Sequence, residues 1–220
     1  MEINDSVLRR IVEEVIKGMA APSAGPAARP ATAGEGEVAL VEKGPAQQGR
    51  DATEVVVGIT PAFGKRLTKS IIGVPYQVII RELLAGIEEG GAKSRVIRVM
   101  KTADCAFVGY EAAKLSGSGV GVGVQTRGTA VIHHKDLLPL SNLELFSQSP
   151  VMTGDVFRAI GRNAARYAKG ETPVPVPTLQ DPMARPRYQA KSAVMHTEEC
   201  KFVVDDAKSI ELEVQFKGGN

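Results

Sequence analysis

The sequence predicts an α/β fold, a Rossmann-like and mainly parallel sheet flanked by helices, carrying a separate N-terminal amphipathic helix on a flexible linker. Three observations predict it. Short β-branched runs alternate with segments of helical period from about Thr53 onward. An apolar stripe of period near four runs through residues 2–19. Between these two regions, residues 20–52 turn to Ala, Pro, Gly and Gln. Such a stretch buries too little apolar surface to offset chain entropy.

The elements follow in order. Ile3, Val7, Ile11, Val15 and Met19 share one helix face, widened by Leu8, Val12 and Ile16. Arg9–Glu13 and Arg10–Glu14 are spaced as i,i+4 pairs on the other face, and Gly18 supplies a stop. Charges along its whole length exclude a signal peptide, and its acids argue against a mitochondrial transit peptide. A helix this short is marginal alone, so it is expected to fold against a partner. Within the linker, Val38-Ala39-Leu40-Val41 is the one run that can dock locally. The division expected is a helix over 1–19, a linker over 20–52 and a folded domain over 53–220.

In the folded domain, Val55 to Ile59 reads as a buried strand and Tyr76 to Glu89 as a helix ending at Gly90-Gly91. Arg95 to Val99 is the next strand, and Thr102 or Asp104 caps a helix running to Leu115. Gly119 to Gln125 and Thr129 to His133 are strands, and Gly154 to Lys169 is a helix. Pro173, Pro175 and Pro177 enforce an extended path. Lys201–Val204 and Ile210–Phe216 look like edge strands or a hairpin.

Composition narrows the function. The net charge is +2 and there is no Trp, which argues against a nucleic-acid-binding face. No apolar run is long enough to cross a bilayer. Cys105 and Cys200 stand apart with no CxxC or Cys/His cluster, so neither a disulfide framework nor a zinc site is indicated. His133 and His134 alternate faces on a strand and do not both ligate one metal from it. GSGVGVG places Val122 where GxGxxG needs its third glycine, and the chain has no GxxxxGK[ST] or GxSxG. A NAD enzyme, a kinase and a serine hydrolase are thereby disfavoured.

Gly117, Gly119, Gly121 and Gly123 alternate with small residues at strand period, leaving one face bare. Either a bulky ligand lies flat on that backbone, or the segment is a closely packed hairpin. The surrounding stretch, LSGSGVGVGVQTRGTAVIHHKDLLPLSNLELF (115–146), resembles the medium subunit of adenosylcobalamin-dependent diol dehydratase. The likeness continues in GITPAFG (58–64), VPYQVIIRELLAGIEEGG (74–91), RVIRVMKTADCAFV (95–108) and IGRNAARYAKGETPVPVPTLQDPMARPRYQAKSAV (160–194), and in the opening helix. The medium subunit of glycerol dehydratase is the nearest alternative.

The resemblance implies that this chain holds the lower half of base-on cobalamin. A large TIM-barrel subunit would carry the diol, the radical chemistry and a potassium or calcium ion, yielding an aldehyde and water. No catalytic residue and no metal ligand is expected here, and the DxHxxG motif of cobalt-ligating histidines is missing. Large, medium and small subunits would form a dimer of heterotrimers in the bacterial cytoplasm. Residues 1–19 would bind a shell protein and place the enzyme inside a microcompartment.

Cofactor positions carried over by motif are Asp104 in TADCAF, Arg127 and Thr129 in QTRGT, Asn142 in LSNLELF, and Tyr188 and Ser192 in RPRYQAKSA. Asp104 would accept from a corrin amide, Arg127 would face the phosphodiester and Ser192 the base. Arg127 stands where relatives often have Lys, which keeps the charge and changes its geometry. Arg185 and Lys191 are secondary candidates. Each has a plainer role open to it: a helix cap for Asp104, a solvated turn charge for Arg127, a turn brace for Asn142. Two other classes of function stay open. One is a chaperone-like subunit of a dehydratase-reactivating factor, otherwise expected as a partner. The other is a structural adaptor whose leading helix is the working part.

Overall fold

The computed structural model describes residues 37–217. The helix expected over 2–19 and the first part of the 20–52 linker lie outside the described residues. Among the described residues seven strands form one sheet: β1 (Glu37–Pro45), β2 (Glu54–Ile59), β3 (Lys93–Arg98), β4 (Val120–Val124), β5 (Ala130–His134), β6 (Glu144–Phe146) and β7 (Ile210–Lys217). Their order across the sheet is β1-β7-β3-β2-β4-β5-β6. Four α-helices accompany them among the described residues: α1 (Tyr76–Glu89), α2 (Cys105–Leu115), α3 (Gly154–Ala168) and α4 (Ala184–Cys200).

The sheet is mixed, which corrects the expectation of mainly parallel pairing. Only β3-β2-β4 are mutually parallel; the pairs β1–β7, β3–β7, β4–β5 and β5–β6 are antiparallel. The reason is chain length. Parallel neighbours need a crossover of about a dozen residues or more, and the short turn 125–129 between β4 and β5 permits only a hairpin. Ile210 to Lys217 is not an edge strand, since it pairs on both sides, with β1 and β3. Residues 37–45, placed in the linker by composition, form the edge strand β1. Residues 201–204 form a turn after α4 instead of a strand.

The parallel centre follows from two crossovers. From β2 the chain moves outward through α1 to β3, then back past β2 through α2 to β4. Right-handed crossovers in opposite directions put their helices on opposite faces. Val55, Val57 and Ile59 therefore pack with Ile79, Leu83 and Ile87 of α1 and Phe157, Ile160 and Ala164 of α3. Val56 packs on the other face with Ile97, Val108 and Ala112. The point where the directions diverge, at the carboxyl ends of β2 and β4, is where open α/β sheets accept ligands.

The glycine-lined face of β4 is covered by protein. A Cβ at Gly121 would lie 2.3 Å from Ala113 N, and one at Gly123 would lie 2.5 Å from both Cys105 O and Gly109 N. Helix α2 is thus seated directly on β4 backbone, so the face is bare for a helix and has no room for a ligand. The closely packed hairpin was the better of the two readings. Helices α1 and α3 meet in the same way, with Gly86 under Arg158 O and Gly161 under Leu83 O.

Candidate functional site

A cavity of about 600 Å³ opens at the carboxyl end of β4. It is lined by the β4–β5 turn (Arg127, Thr129), by Ser149 and its neighbours after β6, by Ile71 from the β2–α1 loop, and by one face of α4. Four of the six residues carried over by motif meet there: Arg127, Thr129, Tyr188 and Ser192. Arg185, one of the secondary candidates, lines it as well.

Arg127 is half-buried and fixed from two sides. Its Nη1 donates to Ser192 Oγ at 2.7 Å and its Nη2 to Gln125 Oε1 at 2.8 Å. Gln125 is itself anchored, its Nε2 donating to Ala103 O. Arg127 Nε is buried without a hydrogen-bond partner. The turn that presents Arg127 is tight: Gly128 N donates to Gln125 O, with Gly128 at φ +99°. Ile71 N donates to Arg127 O, which ties the turn to the β2–α1 loop.

Thr129 Oγ1 and Ser149 Oγ share a hydrogen bond of 2.7 Å on one wall. Tyr188 packs beside Met195, Ala62, Leu67 and Ile71 at the root of the opposite wall. Lys191 Nζ donates to Ile71 O at 2.5 Å, and partial burial without a neighbouring carboxylate pushes its pKa below the ordinary lysine value. The lining carries Arg127 and Arg185 against one acid, Asp181, which itself faces Arg187 at 3.5 Å. An excess of positive charge in a concave site favours anions.

Asp104 and Asn142 lie elsewhere. Asp104 is the N-cap of α2, accepting from Ala106 N and Phe107 N. Asn142 sits in the β5–β6 loop, at the end of β5 opposite the Arg127 turn, where its Nδ2 reaches Leu140 O at 3.4 Å and its Oδ1 has no partner. Helix α4 was missed from the sequence, and with it the buried Glu199, which accepts from Thr126 Oγ1 at 2.7 Å. The signal that was available is Pro186 in the first turn of that helix, a position where proline is tolerated.

His133 is fully buried, with Nδ1 2.8 Å from His134 O and Nε2 3.3 Å from Pro139 O; His134 is half-buried, and His196 is exposed. Among the described residues no group of three or more His, Cys, Asp or Glu is placed to hold a metal ion. No helix there is long and apolar enough to cross a membrane. Cys105 is buried against Gly123 O and Thr129 O, and burial pushes its thiol far above the ordinary range; Cys200 is exposed. A thiol reagent should therefore label one cysteine per native chain and two after denaturation, as mass spectrometry will read.

The family model of the dehydratase medium subunit matches residues 60–174. Among solved structures, the chain is similar to a glycerol dehydratase reactivase at 24% identity and a TM-score of 0.44, over 53% of this chain and 92% of that one. It is also similar to a diol dehydratase-reactivating factor complexed with ADP and Mg2+, at 24% identity and a TM-score of 0.41, over 59% of this chain and 97% of that one.

Proposed function

Since the chain belongs to the dehydratase medium subunit family, we propose that it serves a diol or glycerol dehydratase by holding the lower half of cobalamin. The observation that carries the reading is Arg127: a cation held by Ser192 and Gln125, with a buried Nε left over, at the wall of a polar cavity. A phosphodiester is the matching group, since a guanidinium presents several donors to one anion. The cavity suits the phosphate and base of the nucleotide tail. The wider corrin would lie across its mouth, against the large subunit.

In this reading Arg127 neutralises the phosphate, Thr129 offers its hydroxyl beside it, and Ser192 and Tyr188 border the base. Asp104 and Asn142 are proposed partners for corrin amides outside the cavity. When bound, adenosylcobalamin supplies homolytic radical chemistry, and the residues of this chain orient it and shield it from water. No catalytic role is assigned here. The diol, with its potassium or calcium ion, belongs to the large subunit, and the assembly proposed is a dimer of heterotrimers in contact with a reactivating factor. Residues 1–19 are the proposed address for a microcompartment shell.

The test is a titration of the coexpressed complex with cyanocobalamin, followed by absorbance. Arg127→Ala should weaken binding about 10–100-fold, the equivalent of one charge-assisted contact of about 1.5–3 kcal/mol. Unchanged affinity in that variant would remove the reading. Deleting residues 1–19 should leave turnover intact and abolish encapsulation; lost turnover would reassign that segment.

A further inference from the structure

Glu199 lies near the end of α4 with no exposed surface. Thr126 Oγ1 donates to its Oε2, while Oε1 has no partner. Thr60, the other hydroxyl close enough to act on the carboxyl, makes no hydrogen bond of good geometry. A buried carboxylate needs more than one hydroxyl donor, whereas a neutral carboxyl does not. Burial accordingly raises its pKa, opposed by its hydroxyl neighbours, by the Thr126 backbone N–H and by the charge of Arg127. The ionisable groups on the elements packed around it are Asp104 and the neutral Cys105 thiol at the start of α2, Arg66 of the β2–α1 loop, which pairs with Glu198, and Lys191, His196, Glu198, Cys200 and Lys201 on or beside its own helix.

Two links run from α4 to the turn that bears Arg127: Glu199 to Thr126 and Ser192 to Arg127. The first ends on a titratable group, the second on the proposed phosphate cation. We propose that Glu199 is a positioning residue whose protonation is coupled to anion binding at Arg127. Ionised, it balances Arg127 and repels an arriving anion across a low-dielectric interior. Neutral, it still accepts from Thr126 and holds the turn, and it leaves the charge of Arg127 to the ligand. Where Glu199 is ionised in the free protein, up to one proton is then taken up for each anion bound. This rests on reading the cavity as an anion-binding cofactor site.

The experiment uses the full-length chain, wild type and Glu199→Gln, with dimethyl phosphate as a probe that keeps one negative charge between about pH 5 and pH 8. Wild-type affinity should fall by up to about tenfold per pH unit as pH rises through the titration of Glu199. Glu199→Gln should bind without that slope, as tightly as wild type does at the acidic end. In wild type, anion binding should add a protonated-carboxyl band to the infrared difference spectrum. That band decides the matter alone if the variant does not fold. An unchanged slope in Glu199→Gln, no such band, or no binding of dimethyl phosphate at any pH overturns the proposal. Cyanocobalamin is titrated in parallel into the coexpressed complex, with wild-type and Glu199→Gln chains. If the Glu199-dependent slope is found with dimethyl phosphate while cyanocobalamin fails to bind, the cofactor reading falls and the coupling stands; cyanocobalamin binding without the slope gives the reverse.

Discussion

Replacing Arg98 with methionine should destabilise the protein by about 3–5 kcal/mol, the range for leaving buried polar groups without their charged partner. Arg98 is 2% exposed at the end of β3. Its Nη1 serves three carbonyls of one loop, Thr60 O at 3.3 Å, Pro61 O at 2.9 Å and Phe63 O at 2.7 Å, and its Nε lies 3.5 Å from Glu42 Oε1. Methionine fills similar space and donates nothing, so the carbonyls lose their donor inside the protein. Lysine keeps the charge but lacks the planar fork, and its loss should be intermediate. Urea denaturation of the three proteins measures this, and equal midpoints would mean that water reaches the loop. The same loop leads on to Ile71 at the cavity wall, so the cavity should loosen in the methionine variant before the sheet does.

Gly123→Val is the second large effect, at about 3 kcal/mol or more, because overpacking here meets main chain instead of a side chain that can turn away. Its Cβ would fall 2.5 Å from Cys105 O and from Gly109 N. Either α2 lifts from the sheet or β4 bends. Gly154→Ala is the control, since its Cβ would meet nothing nearer than Glu82 Cγ at 3.4 Å, and thermal melts should leave it within about 0.5 kcal/mol of wild type. If Gly123→Val also melted with wild type, the contact between α2 and β4 would be looser than the geometry requires.

How far the sequence could be read depends on where each pattern gets its cause. The helix over Tyr76–Glu89 was legible because its apolar face meets a core and Gly90-Gly91 ends it. Helix α4 was not, because the side that faces inward carries Tyr188, Ser192, Met195 and Glu199 at helical spacing. A helix that walls a polar cavity lacks the apolar stripe that betrays other helices. Strands β2 to β5 and β7 were legible from β-branched runs, whereas β1 was read as linker and β6 was not foreseen. Strand directions were not legible, since direction depends on connection length, and only five residues separate Val124 from Ala130. The glycines of β4 announced a close approach without naming what approaches. Of the residues taken from motifs, those on the β4–β5 turn and on α4 converge through the fold. Asp104 and Asn142 share no turn or helix face with them.

Strand β1 and strand β7 offer a last consequence. Among the described strands β1 pairs only with β7, which comes from the far end of the described chain and wedges between β1 and β3. During synthesis β1 emerges early and has no strand partner until β7 arrives. Its apolar residues Val38 and Leu40 spend that interval unshielded, at the mercy of chaperones and of neighbouring nascent chains. The flank of the sheet therefore closes last, since its pairing joins the two most distant described segments.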